Sequence, residues 1–423
     1  MNLYLNNSLW ILVDKVFILG GGLIVYVVVS NYLGPVAFGK VSFGVALASI
    51  PITLSQWGAN HTISNMAISN RVKAIRYIIA TKKIRCFLYL FISFFIFFIL
   101  FYVDSYRADS YFILLIILSH FHSGLDVSQY YFSAVLESKV NAFSSMISKF
   151  ISIFTRLFFV YLNVDLLWFF LPYFFNNYIS YKIKYNKLPV HRYRSRRYGK
   201  SYIKLGKGFV LSAFFTIIYS KINEILLSGL FGYSEVAIFN VAMTLAFSWS
   251  FFPQAFGLSY FTKAMRGYDK KMKEDAFSFI IFLMLVISMP IVFLVCLFSS
   301  NVVSFLFSEN YMQASEILPI LTFSCLFSSL GLINNRIIGG YKRGSNYLYK
   351  KVISCSILSV FLSYFLIKFF GLIGAAYSLL IVEVFSVTVA NYFFKSGLIL
   401  KIHFRLFSFS YWLFLYRSRN DFI

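Results

Sequence analysis

The chain is short of charge, and of acid above all. Of 423 residues only 15 are Asp or Glu, charged residues of both signs make up 13%, and 59% are hydrophobic. Soluble domains carry about 25% charge and about 45–50% apolar residues, which excludes a water-facing fold here. The mean hydropathy of +0.75 agrees. Cysteine is scarce too. Cys86, Cys296, Cys325 and Cys355 stand far apart with no CxxC pair, so neither a thiolate metal site nor a disulfide framework is indicated, and they read as small apolar packers. No His/Cys/Asp ligand spacing, nucleophile elbow or phosphate-binding glycine loop is present, so no metal, cofactor or hydrolytic centre is expected. The first apolar run lacks a basic leader region and is long enough to cross a bilayer. It reads as a retained helix, not a cleaved signal.

What fills the chain instead is hydrophobic runs of membrane length. They fall at 9–30, 36–62, 86–103, 111–132, 144–162 and 166–181, then at 208–230, 236–260, 276–298, 316–337, 352–368 and 372–394. Twelve runs of ~17–27 residues suit tilted transmembrane helices, and none alternates as a β-barrel strand would. The expected fold is an all-α integral membrane protein, about twelve helices in two six-helix lobes around a central cavity. The lobes are 1–181 and 208–394, joined by a basic linker at 182–207 and followed by a basic tail at 395–423. A faint echo supports the halves: Val36-Ala37-Phe38 opens the second run and Val236-Ala237-Ile238 the eighth.

The net charge of +24 sets the orientation. Alternate loops hold Arg71 to Arg85, Lys139, Lys182 to Lys207, Lys263 to Lys273, Lys342 to Lys351, and the tail from Lys395. They collect thirty-one cations, against Arg107 and Lys368 on the other side. By the positive-inside rule both termini are cytoplasmic. The Arg-rich stretch from His191 to Arg197 is read as resting on anionic headgroups, with no nucleic acid as partner. The aromatic stretch 404–416, too short to span, is expected to form an interfacial helix.

Nine ionisable residues inside the runs are the informative ones: Asp14, Lys15, Asp126, Lys149, Arg156, Lys221, Glu224, Arg336 and Glu383. Facing lipid they would cost on the order of 20–30 kcal/mol together, so they must face one another or a hydrated path. Lys221 and Glu224, three apart, can pair across one helical turn. Lys149, Ser152 and Arg156 share a face with two cations and no carboxylate, an arrangement that suits a visiting anion. His122 and Asp126, four apart, would share a face able to relay a proton or hold a cation. Asp14 and Lys15 diverge by about 100° around their helix. Glu383 has no charged neighbour in its own run. A cationic path implies an anionic substrate, with Lys15, Lys149, Arg156, Lys221 and Arg336 as its contacts. Asp14, His122, Asp126, Glu224 and Glu383 are then the ion-coupling candidates. The Gly20-Gly21-Gly22 triplet reads as close helix packing.

Four stretches carry a family resemblance. They are Leu33-Gly34-Pro35 with Phe38-Gly39, preceded by Trp10 and Asp14-Lys15; Leu54-Ser55-Gln56-Trp57-Gly58; Lys221-Ile222-Asn223-Glu224 through Ser234 to Phe239 and Phe252-Pro253; and Phe307-Ser308-Glu309-Asn310-Tyr311 with Ala314. In order and spacing the chain resembles the O-antigen flippases, a polysaccharide-transport branch of the multidrug/oligosaccharidyl-lipid/polysaccharide (MOP) exporter superfamily. The resemblance implies a MATE-like fold in the bacterial inner membrane. It implies movement of an undecaprenyl-pyrophosphate-linked repeat unit between leaflets by alternating access, coupled to H+ or Na+. It also implies partnership with the polysaccharide polymerase and chain-length regulator. Lys15, Arg156 and Lys221 would then meet the diphosphate or sugar, and Glu224 would serve as partner or coupling carboxylate. The chain departs from the family at Ile238-Phe239, where Gly-Tyr is usual, and at Glu224, where Asp is common. A membrane-embedded O-antigen polymerase is a rival reading, but such an enzyme needs a large outward loop, and the longest here, around 299–315, is short. An exporter of another lipid-linked or small substrate is the nearer rival.

Overall fold

A computed structural model describes residues 3–189, 196–267 and 270–406, with side chains throughout except at 3–9, 11–19, 196–197, 262–263, 266–267 and 270–272. The side chains of Asp14 and Lys15, residues 191–195 of the basic linker and residues 407–416 of the expected interfacial helix lie outside the described residues. Among the described residues every regular element is helical. That is what hydrocarbon demands of backbone polar groups, which can find partners only within their own segment.

Packing divides the chain into two compact units, Met1–Ala237 and Ile238–Ile423. The first contains α1 (Leu3–Gln56), α2 (Ala59–Ser69), α3 (Arg71–Ala80), α4 (Lys82–Tyr102), α5 (Asp104–Arg107), α6 (Ser110–Ser119), α7 (Phe121–Leu125) and α8 (Ser128–Ala134). It continues through α9 (Ser138–Tyr161), a 3-10 turn (Leu166–Phe170), α10 (Leu171–Lys187) and α11 (Arg196–Phe231), and ends inside α12 (Tyr233–Ser248). The second unit holds the rest of α12, then α13 (Phe251–Gly267), α14 (Lys270–Leu306), α15 (Ala314–Gly339), α16 (Gly344–Val387), α17 (Val389–Tyr392) and α18 (Leu398–Arg405). Helix α11 packs against α1, α2 and α3. The unit boundary therefore reports packing, whereas the expected lobes concern repeat structure.

Among the described residues seven helices are long and apolar enough to cross a membrane, or eight if α12 and α13, bent by 43° at their junction, form one span. Each of the expected runs falls largely on helix. The sequence count is higher because α1 and α16 each hold two runs, and because the broken stretch α6–α8 and the more polar α10 supply two more. The break in α1 is at Gly34 (φ 70, ψ 170), a region open essentially to glycine alone. Pro35 follows, lacking the N–H that would continue the ladder. In α16 the break is at Gly371 (φ 56, ψ −130).

The helices are inverted relative to those of soluble proteins. In α4 the buried face is Arg85, Tyr89, Ser93, Ile96 and Leu100, while Phe87, Phe91, Phe94, Phe95 and Phe98 point outward. In α9 the buried face is Ser138, Ala142, Ser144, Ser148 and Ser152, with Phe143, Phe150, Phe154 and Phe158 outside. Small and hydroxyl residues let backbones approach, and lipid takes the phenylalanines. Helices α1 and α10 pack on α9. The core of the second unit gathers Phe277, Ile280, Met284, Leu326, Ile333, Ile337 and Ile399 from α14, α15 and α18.

Candidate functional site

Burial makes charge pairing obligatory, and the first unit shows three paired clusters. The pair expected from spacing is formed: Lys221 Nζ donates to Glu224 Oε1 at 2.7 Å on α11. It is lopsided, since the Glu224 side chain is 4% exposed and that of Lys221 29%. The carboxylate is sealed while the ammonium keeps an accessible side.

A second cluster corrects the sequence reading of His122 and Asp126. Helix α7 ends at Leu125, and Asp126 has non-helical backbone (φ −80, ψ 79). The expected i,i+4 face therefore does not form. Asp126 instead receives the ammonium of Lys184 from α10 at 2.7 Å and the hydroxyl of Ser128 at 2.6 Å. His122 sits among aromatic rings, 4.9 Å from Tyr178 and 5.7 Å from Tyr181. Beneath the pair lies Arg85, which donates to Thr81 Oγ1 and to the Ile78 carbonyl and is within electrostatic reach of Asp126. Gln56 extends the network, donating to the Ser123 carbonyl and accepting from Tyr130 Oη at 2.8 Å. Buried here are two cations and one anion, ringed by tyrosines.

The third cluster was not foreseen. Lys40, on α1 after the Gly34 break, donates to Asp109 at 2.7 Å and stands 5.8 Å from the Tyr233 ring centroid. Phe43 stacks on Tyr106 at 5.4 Å and meets Tyr233 at 5.8 Å. A side chain at Gly39 would collide with the Tyr233 carbonyl, so the start of α12 rests directly on α1.

Lys149 and Arg156 lie on one face of α9, with Ser152 buried between them. The stripe contains no acid, but the Arg156 guanidinium lies 4.4 Å from the ring centroid of Tyr173 on α10, so an aromatic face already takes up part of its charge.

In the second unit Arg336 is exposed in the last turn of α15. Glu383 is buried on the second half of α16, and its charged neighbour comes from the first half of that helix: Lys351 lies within electrostatic reach. Lys351 itself, which sequence reading placed in a loop, is 6% exposed and donates to Asn335 Oδ1 at 2.8 Å. Outside the spans, Arg405 on α18 holds Glu274 at 2.8 Å and Asp275 at 2.9 Å. His403 contacts Tyr392 Oη at 3.1 Å and Asn334 at 3.4 Å, and burial lowers its pKa to about 4.

Sequence reading thus missed Lys40, Arg85, Lys184 and Lys351. Three of them lie near helix ends among genuinely exposed cations, and only the helical phase separates them. Lys184, for instance, lies three residues beyond the buried Tyr181.

A chain whose described elements are all helical, with outward-facing phenylalanines and buried, paired charges, is a multi-pass membrane protein. Solved transporters share the fold. An inward-facing multidrug-resistance MATE family transporter of the MOP superfamily aligns over 88% of this chain and 93% of its own, at 15% identity and a TM-score of 0.63. The lipid II flippase MurJ, in an inward closed conformation, aligns over 95% and 91%, at 15% identity and a TM-score of 0.64. A MOP superfamily transporter from Pyrococcus furiosus aligns over 95% and 93%, at 12% identity and 0.53. No curated protein matches in sequence. The polysaccharide biosynthesis protein family matches residues 4–252, more than half of the chain, and the chain belongs to that family.

Proposed function

We propose that the protein is a flippase for an undecaprenyl-pyrophosphate-linked oligosaccharide, the repeat unit of O-antigen or a related surface polysaccharide. It moves the repeat unit from the cytoplasmic to the periplasmic leaflet of the bacterial inner membrane by alternating access. The observation that carries this reading is the conjunction of a polysaccharide-biosynthesis family with a MOP-transporter fold. One similar structure is of a protein named as a lipid II flippase, and a lipid-linked saccharide is a close chemical analogue of the proposed cargo. Buried cations support an anionic substrate: a diphosphate offers oxygens that Lys and Arg hold strongly in a low-dielectric site. Lys221, with its accessible ammonium, is the strongest contact candidate, and Glu224 the strongest candidate for coupling to H+ or Na+. Arg156 and Lys149 come next. Polymerisation by the same chain is disfavoured, because Leu306 and Ala314 are joined by seven residues where an enzyme would need an outward platform. The polymerase and chain-length regulator are proposed as separate partners.

The test compares lipid-linked repeat units on each face of the inner membrane in a deletion strain and in strains carrying Lys221→Ala or Arg156→Ala. Accumulation on the cytoplasmic leaflet in all three is expected. Single repeat units that reach the periplasm but are not joined would overturn the flippase in favour of a polymerase.

A further inference from the structure

The second unit has a cavity that the buried pairs do not explain. It lies where the hairpin formed by the two halves of α16 begins and ends. Tyr347 Oη donates to the Ala390 carbonyl at 2.8 Å, and its ring meets Phe394 edge-on at 5.0 Å. These contacts hold the start of α16 level with its end. Beside them opens a cavity of about 280 Å³ whose walls include Lys350, Lys351, Ser354, Phe385 and Phe393.

Its two sides differ in chemistry. On one side are two successive lysines. Lys351 is buried and spends one of its three N–H groups on Asn335, while Lys350 is exposed. The lining carries these two ammonium groups and no carboxylate, so the cavity is net positive even though Glu383 lies within electrostatic reach of Lys351. On the other side are Phe385 and Phe393, the latter 78% exposed, with Val389 45% exposed next to it. On a membrane-spanning hairpin, exposed apolar side chains face lipid. A soluble anion would satisfy the lysines and leave the aromatic wall bare. An acyl chain alone would cover the wall and leave the ammonium groups without an anion. A phosphate joined to a hydrocarbon chain answers both, at the span end where headgroups sit.

We infer that this cavity binds the phosphate headgroup of an anionic lipid, Lys350 and Lys351 holding the phosphate while the chain runs along Phe385 and Phe393. The site shares no residue with the Lys221–Glu224 pair, and it stands whether or not the repeat-unit reading holds.

The test uses the purified full-length protein in detergent, with native mass spectrometry and thermal unfolding as readouts. Phosphatidylglycerol, zwitterionic phosphatidylcholine and inorganic phosphate are the probes. Phosphatidylglycerol should be retained and should raise the unfolding midpoint, and phosphatidylcholine should do neither. One lysine near an anionic headgroup corresponds to about a fivefold change in affinity, so Lys350→Gln should weaken retention about fivefold and the double variant with Lys351→Gln about twenty-fivefold. Lys368→Gln, at the far end of the first half of α16, should leave retention unchanged. Lys350 is exposed, so its single variant keeps the test decisive if the double variant fails to fold. Unchanged lipid retention in Lys350→Gln and the double variant would overturn the site. Inorganic phosphate that stabilises the protein as well as the lipid does would overturn the lipid assignment.

Discussion

At the scale of single residues, the buried charges are held in unequal ways, and the inequality separates structural from functional roles. The Lys184 and Asp126 side chains are 7% and 8% exposed, so neither can exchange its partner for water. Removing one member leaves the other buried and uncompensated, at about 3–5 kcal/mol, whereas removing both and filling the space is far milder. Asp126→Ala should therefore lower the thermal unfolding midpoint sharply, more so because Arg85 shares that carboxylate's field. Asp126→Ala/Lys184→Met should recover most of the loss, as followed by size-exclusion chromatography after heating. Such a result would mark the pair as structural and remove Asp126 from the coupling candidates. His403 gives a second residue-scale prediction. Its folded pKa is about 4 against an ordinary 6.5, because burial disfavours the charged form. The unfolded chain binds more protons between those values, so the stability contributed by neutral His403 is complete above about pH 6.5 and lost as pH falls toward 4. Hydrogen exchange of α18, corrected for intrinsic rate, should show less protection at pH 5 than at pH 7.5, and His403→Gln should abolish the difference.

At the scale of elements, helix breaks decide what the sequence could and could not disclose. Length and apolarity located every run, because lipid leaves few alternatives to a helix of about twenty residues. Periodicity then failed where a helix broke inside its run. The spacing of His122 and Asp126 implied a shared face, but the turn at Asp126 sent its carboxylate to Lys184. Gly34-Pro35 and Gly371, by contrast, do mark breaks: the backbone leaves the helical region at each glycine, and the runs on either side are separate helical segments. The Lys221–Glu224 pair was legible because three residues along an unbroken helix fix the geometry by themselves. Lys40 with Asp109 was not, since no local rule joins residues sixty-nine positions apart. The break at Gly34 can be tested. A Cβ there meets nothing nearby, so the penalty of a side chain is purely one of backbone conformation. Gly34→Ala should destabilise by about 1–3 kcal/mol, read as a lowered unfolding midpoint, because the chain must hold a conformation open essentially to glycine. A neutral outcome would mean that α1 straightens through this point.

At the scale of the whole molecule, the question is which way the chain sits in the bilayer, since a flippase reading has a direction. Orientation rests on the distribution of cations over the loops. Three of those counted on the richer side, Arg85, Lys184 and Lys351, are buried and hydrogen-bonded within the protein, so they do not act as free loop charges. Lys40 lies beside Asp109 in the neighbourhood of Arg107, which adds a cation to the poorer side but one already neutralised. With these changes the asymmetry shrinks slightly and keeps its sign, because the stretches around Arg71, Lys200 and Lys342 are untouched. Reporter fusions test it directly. Alkaline phosphatase, active only outside the cytoplasm, should be active when fused after Ser105, Asn163, Gly232 or Asn310. It should be inactive after Glu137, Leu188 or Tyr341, where a cytoplasmic reporter should be active instead. The paired outcome would place the Lys350–Lys351 cavity at the cytoplasmic headgroups and the Lys40–Asp109–Tyr233 cluster at the opposite face. The reverse pattern would overturn the proposed direction of transport while leaving the fold and the charge pairs intact. A pattern inverted at every fusion from Glu137 onward would instead mean that α6–α8 fails to cross, and one inverted only at Asn310 and Tyr341 would mean that α12–α13 fails.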